Sequence, residues 1–94
     1  MKDGEYIDYY DNGEIRSKCL YLDGKRHGEH IGYYLSGEIS HNCNHIGDIL
    51  HGEFIFYYRS GEISYVWYYI YSECVSELEW ISYNRNLKLE FLGL

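Results

Sequence analysis

The segment "HNCNH" places His41, Cys43 and His45 at alternate positions. On a β-strand alternate side chains point the same way, so one imidazole, one thiol and a second imidazole would share a face. Those donor types suit Zn²⁺ or copper. Their spacing opposes it: three consecutive same-side positions span roughly 13 Å between the outer Cα atoms, too far for one ion without donors from another strand. Packing is the favoured reading of His41, Cys43 and His45, and no metal or other cofactor is expected. His27 and His51 each precede a glycine and could form a second ligand pair. Their repeated placement favours a turn histidine bonded to backbone.

Carboxylates recur as well. Glu5, Glu29, Glu53 and Glu77 stand at one repeated position, and Glu14, Glu38 and Glu62 at another. Acid–base catalysis needs carboxylates converging on one point. Regular spacing spreads these along the molecule, where they act as solvated edges that oppose aggregation. No Ser-His-Asp set, phosphate-binding loop or dinucleotide fingerprint occurs, so no enzyme is expected and no catalytic residue is assigned.

What positions these groups is a repeat. "GEYIDYYDNGEI", "GEHIGYYLSGEI" and "GEFIFYYRSGEI" begin at Gly4, Gly28 and Gly52, a period of 24 residues. A fixed period of this length signals stacked supersecondary units. Each unit reads as a β-hairpin. Strand-favouring "EYIDYY" and "IRSKCLYL" flank "DNG", and the equivalents in later copies are "LSG" and "RSG". Gly in third place fits a three-residue loop, a type I turn closed by a left-handed glycine. That loop sets Tyr9 opposite Ile15 and Tyr10 opposite Glu14. Strict alternation then groups Ile7, Tyr9, Ile15, Cys19 and Tyr21 on a packed face. The second copy contributes Ile31, Tyr33, Ile39, Cys43 and His45, and the third Ile55, Tyr57, Ile63, Trp67 and Tyr69. The opposite face varies between copies. In copy three it carries Phe54, Phe56, Tyr58, Tyr68 and Ile70, an aromatic patch suited to partner binding. The competing reading is that the last repeat or the tail "FLGL" folds over it.

Ser76–Phe91 aligns as a worn fourth copy, with Trp80 on Phe56, Leu87 on Ile63 and Arg85 in place of the turn glycine. The expected architecture is all-β: a single-layered antiparallel array of β-hairpins with about eight strands, roughly 34 Å between the outer ones. Residues 1–94 form one domain, with repeats at 4–27, 28–51 and 52–75 and a degenerate capping repeat at 76–94.

"YLDGKRHGEHIGYYLSGEI" (Tyr21–Ile39) resembles the MORN repeat in its variant form, through Gly24, Lys25, His27 and Gly28 at one turn and Tyr33, Tyr34 and Gly37 at the hairpin. "GDILHGEFIFYYRSGEI" (Gly47–Ile63) resembles it again. The sequence departs from that pattern at His30, where the variant prefers a large aromatic, and after Tyr71. The resemblance implies an elongated hairpin sheet that supplies scaffold or partner-binding surface, and no catalytic residue. Some bacterial members resemble antitoxin or immunity proteins, and viral members are known. Other arrays are linked to phosphoinositides or to self-association through end repeats.

Charge narrows the partner. The net charge is −7 and the basic residues form no block, which opposes nucleic acid and anionic membrane alike. No apolar run reaches the roughly 20 residues of a membrane span. Three cysteines cannot all pair within one chain, and two strands would separate Cys19 from Cys43 by about 9–10 Å, so free thiols in a cytoplasm are expected. The function expected is a non-catalytic protein-binding module. Self-assembly through the end strands is the alternative, and a phosphoinositide-binding module is the least favoured.

Overall fold

The computed structural model describes residues 2–91. Eight strands and one helix follow in chain order: β1 (Gly4–Tyr9), β2 (Ile15–Leu22), β3 (Lys25–Tyr33), β4 (Ile39–Ile46), β5 (Ile49–Leu50), β6 (Gly52–Tyr57), β7 (Ile63–Ile70), β8 (Glu73–Val75) and α1 (Glu77–Phe91). All strands belong to one antiparallel sheet in the order β1-β2-β3-β4-β6-β7-β8, with β5 also on β4. β5 and β6 are the counterpart of the single strand β3, interrupted at His51. This is the expected meander of hairpins.

The hairpin loops close as their glycines require. Gly13, Gly37 and Gly61 sit at φ 91°, 104° and 94°. Their N–H groups donate to the carbonyls of Tyr10, Tyr34 and Tyr58 at 2.9, 2.9 and 3.0 Å. Only a residue without a Cβ takes that conformation freely.

Tyr9 faces Ile15 as expected, but the next pair is Asp8 with Ser17. The same one-residue shift falls between Gly32 and Tyr33 and between Phe56 and Tyr57. Arg16, Ser40 and Ser64 are the extra residues of three β-bulges. Beyond a bulge every side chain of the outgoing strand changes face relative to strict alternation. The packed face expected from alternation is therefore corrected. Cys19 faces Tyr6, not Ile7's side, and His30 faces Cys43.

The fourth hairpin is also corrected: Glu77–Phe91 is a helix of 15 residues. Its start is a capping box. Glu79 N–H donates to Ser76 Oγ at 3.1 Å, and Ser76 N–H reaches back to Glu79 Oε1 at 3.5 Å. Glu77 and Glu79 place negative charge in the first turn, where the helix dipole favours it. Arg85 occupies the slot where a hairpin would need the turn glycine. α1 lies against β7, with Trp80 stacked on Tyr68 at 6.1 Å. Of the tail "FLGL", residues 92–94 lie outside the described residues.

A single sheet buries little. Among the described residues the buried side chains with apolar or titratable groups are Cys19, Cys43 and His45, at 8%, 3% and 5% exposure. Cys19, Cys43 and Cys74 are free thiols. No helix among the described residues is long and apolar enough to cross a membrane.

Candidate functional site

Two groups of side chains share one face of the sheet, and the bulge at Ser40 aligns them. His41, Cys43 and His45 alternate along β4. Across β3 their partners are Gly32, His30 and Gly28. Cys19 on β2 faces His30 from the other side, giving a row Cys19–His30–Cys43 across three strands. Gly32 is buried and leaves the space that the His41 ring fills: a Cβ there would stand 2.1 Å from His41 Cε1.

The donor atoms of His30, Cys43 and His45 lie within 4.8 Å of one another. The His30 and His45 rings are 5.8 Å apart, and those of His30 and His41 6.2 Å. His45 Nδ1 is buried with no hydrogen-bond partner among the described residues. Burial pushes the His30, His41 and His45 imidazoles below their ordinary range, so they stand neutral. Burial also pushes the Cys43 thiol up to about 11. The donor atoms that come together are thus those of His30, Cys43 and His45, whereas the candidate trio weighed against packing along β4 is His41, Cys43 and His45. A cavity of about 330 Å³, lined in part by Cys19, Arg26 and His30, opens beside this cluster.

Next to it runs an aromatic stack. His41 lies over Phe54 at 5.8 Å, Phe54 over Phe56 at 4.7 Å with planes 9° apart, and Phe56 over Tyr65 at 4.4 Å. Trp67 meets Phe56 edge-on at 6.1 Å. Tyr65 and Trp67 remain 47% and 48% exposed.

The expected patch of Phe54, Phe56, Tyr58, Tyr68 and Ile70 is divided between faces. Phe54 and Phe56 stay together. Tyr68 and Ile70 alternate to the opposite face, where Trp80 covers Tyr68. Tyr58 stands at the hairpin loop, 55% exposed. Tyr65 and Trp67 complete the open stack instead. The signal for them was present in "YVW", but strict alternation put Trp67 on the packed side.

The turn histidines divide as well. His51 Nδ1 accepts a hydrogen bond from Tyr71 N–H at 3.1 Å, the backbone role expected of it. Asp3 at the corresponding position of copy one does the same for Asp23 N–H at 2.7 Å. His27 and His51 lie a full repeat apart and form no pair. Glu5, Glu29 and Glu53 lie on β1, β3 and β6, Glu14, Glu38 and Glu62 lie beside the hairpin loops, and Glu77 begins α1, so the recurring glutamates stay spread along the molecule.

The family model described as the MORN repeat variant matches the chain twice, over residues 2–23 and 50–71. The two matches are offset by two periods of 24, and the copy carrying His30, His41, Cys43 and His45 lies between them. No curated protein and no solved structure matches the chain. MORN repeats supply protein-binding or scaffold modules and are generally non-catalytic. The two matches and the 24-residue period show MORN repeats of the variant type in this chain.

Proposed function

We propose that this chain is a non-catalytic binding module that takes another protein onto the face formed by Phe54, Phe56, Tyr65 and Trp67. The observation that carries the reading is the open aromatic stack: two of its four rings are about half exposed although the others pack beneath them. Large aromatic side chains lose little conformational freedom on binding and dominate contact energies. The partner would carry an apolar contact surface ringed by basic groups, because the chain itself carries a net charge of −7. Nucleic acid and anionic lipid do not fit that charge. An immunity-like or antitoxin-like role is one concrete form of the reading. A cytoplasmic setting belongs to it too, since three unpaired thiols persist where the medium is reducing.

A second reading rests on β1. This six-residue strand is exposed throughout and pairs only with β2, so its outer edge offers backbone groups to another strand. The other end of the sheet stops at the three-residue β8 beside α1. One long free edge favours a two-fold pair of chains over a filament.

Affinity capture from the native source, followed by reconstitution with the purified candidate, separates the two. A one-to-one complex that Trp67→Ala or Phe54→Ala abolishes, with the far-ultraviolet circular dichroism kept, supports the aromatic face. A complex indifferent to both substitutions refutes it. Recovery of further copies of the chain alone, lost on Tyr6→Pro in β1, supports the edge.

A further inference from the structure

We infer that His30, Cys43 and His45 form a Zn²⁺ site, with two imidazoles and one thiolate from β3 and β4 as its ligands and solvent in the fourth position. Three observations carry it. The first is proximity: the three donor atoms already lie within 4.8 Å of one another. A tetrahedral zinc with bonds of about 2.3 Å to sulfur and 2.0–2.1 Å to nitrogen holds its ligand atoms about 3.4–3.6 Å apart. Side-chain rotations of about an ångström therefore close the site. The obstacle seen along β4 alone, three donors strung too far apart on one strand, disappears because β3 supplies His30 from across the ladder.

The second observation is an unsatisfied atom. His45 is 5% exposed and its Nδ1 has no hydrogen-bond partner among the described residues. Buried polar groups are normally bonded, and one left alone costs about 1–3 kcal/mol. A cation held by His45 fixes its tautomer and gives its second nitrogen a defined role.

The third is the contrast between repeats. The positions of His30, Cys43 and His45 hold Tyr6, Cys19 and Tyr21 in copy one, and Phe54, Trp67 and Tyr69 in copy three. Aromatic rings pack the face in those two copies. Imidazoles replace them in the middle copy, the one that neither family match includes. A packing role alone gives no reason to gather several imidazoles there, one of them buried.

The donor set selects the ion. One thiol and two imidazoles without a carboxylate exclude Ca²⁺ and Mg²⁺, which need oxygen ligands, and suit zinc. Binding displaces the Cys43 proton to solvent, so thiolate and ion together leave one net positive charge. Arg26 is the nearby cation that opposes this, and Asp48 holds it in an ion pair at 3.4 Å. The cavity lined by Cys19, Arg26 and His30 opens on the His30 side of the cluster.

The test uses untagged full-length protein stripped with chelator under reducing conditions. Titration with Zn²⁺ should give one equivalent bound per chain. Co²⁺ should give the intense visible bands of tetrahedral coordination and a thiolate-to-metal charge-transfer band. Cys43→Ser should remove that band. His30→Gln and His45→Gln should each weaken binding by at least about 100-fold, the upper range for losing even an outer-sphere partner. His41→Gln should leave binding intact, since His41 shares the face but lies outside the cluster. Uptake below about 0.1 equivalent by the unsubstituted protein overturns the site, and that measurement needs no variant to fold. A charge-transfer band that survives Cys43→Ser, or a loss in His41→Gln equal to that in His30→Gln, overturns the ligand assignment.

Discussion

Replacing Tyr34 by phenylalanine removes one oxygen and leaves the ring in place. That oxygen links two repeats: Tyr34 Oη donates to the carbonyl of Tyr57, 23 residues on. Tyr10 Oη makes the equivalent bond to the carbonyl of Tyr33 at 2.6 Å, again 23 residues on. In the first two "YY" pairs the second tyrosine thus holds the first tyrosine of the following copy. Repeat arrays gain stability from such nearest-neighbour interfaces. Because phenylalanine keeps the packed surface, the cost is that of one hydroxyl–carbonyl bond, about 1 kcal/mol within a range of about 0.5–1.5. For a domain of this size that lowers the melting temperature by roughly 4–8 °C. Tyr58 supplies the internal control. It stands at the same repeat position, but α1 follows where a fourth hairpin would, and its ring is 55% exposed. Tyr58→Phe should therefore cost less than about 0.3 kcal/mol, the range of a surface change. Denaturant unfolding of the three variants measures this, and an unchanged m-value ensures that the native state alone is compared. Equal losses for Tyr58→Phe and Tyr34→Phe would refute the inter-repeat account, as would no loss for both Tyr10→Phe and Tyr34→Phe.

Other perturbations probe the same architecture. Chelator-treated protein should lose stability as pH falls from about 7 to about 5, because the half-buried His30 and His41 and the buried His45 stay neutral in the fold while the unfolded chain takes up protons near the ordinary value of about 6.5. The depressed values mean that this contribution is complete above the unfolded value and is lost on acidification. Arg26 adds to the depression at His30 and His45, and His30→Phe, the residue type of copy three, should flatten the profile measured by thermal melts. Gly32→Ala should destabilise by about 1–3 kcal/mol in urea unfolding, since its Cβ would meet the His41 ring at 2.1 Å and push it off Phe54. Ser76→Ala should cost about 1 kcal/mol through loss of the cap on α1, read as earlier fraying of helical circular dichroism. Trp80→Ala should cost about 2 kcal/mol, less than a fully buried tryptophan because the ring is half-buried against Tyr68 and His51.

The repeat period and the hairpin loops were legible because they depend on local chemistry. A glycine held at φ near +90° advertises its turn, and Gly13, Gly37 and Gly61 do so at a fixed interval. The helix was legible in part. "SELE" carries the Ser-x-x-Glu pattern of a capping box, but aligning Trp80 with Phe56 hid it behind the periodicity. The bulges had no such sign. Arg16, Ser40 and Ser64 are ordinary strand residues, and their slip comes from how two strands meet.

One residue of slip decides the chemistry of the face. With strict alternation from the Tyr33–Ile39 pair, His30 would lie opposite Asn42 and point away from Cys43. The bulge at Ser40 moves β4 by one position, so His30 instead faces Cys43 and the donor atoms of His30, Cys43 and His45 come within 4.8 Å. The same slip at Ser64 brings Tyr65 and Trp67 onto the face of Phe54 and Phe56. Both the thiol–imidazole cluster and the aromatic stack therefore depend on the bulges. A substitution that straightened the Ser40 bulge would turn His30 to the far side and break the cluster without altering any of its three members.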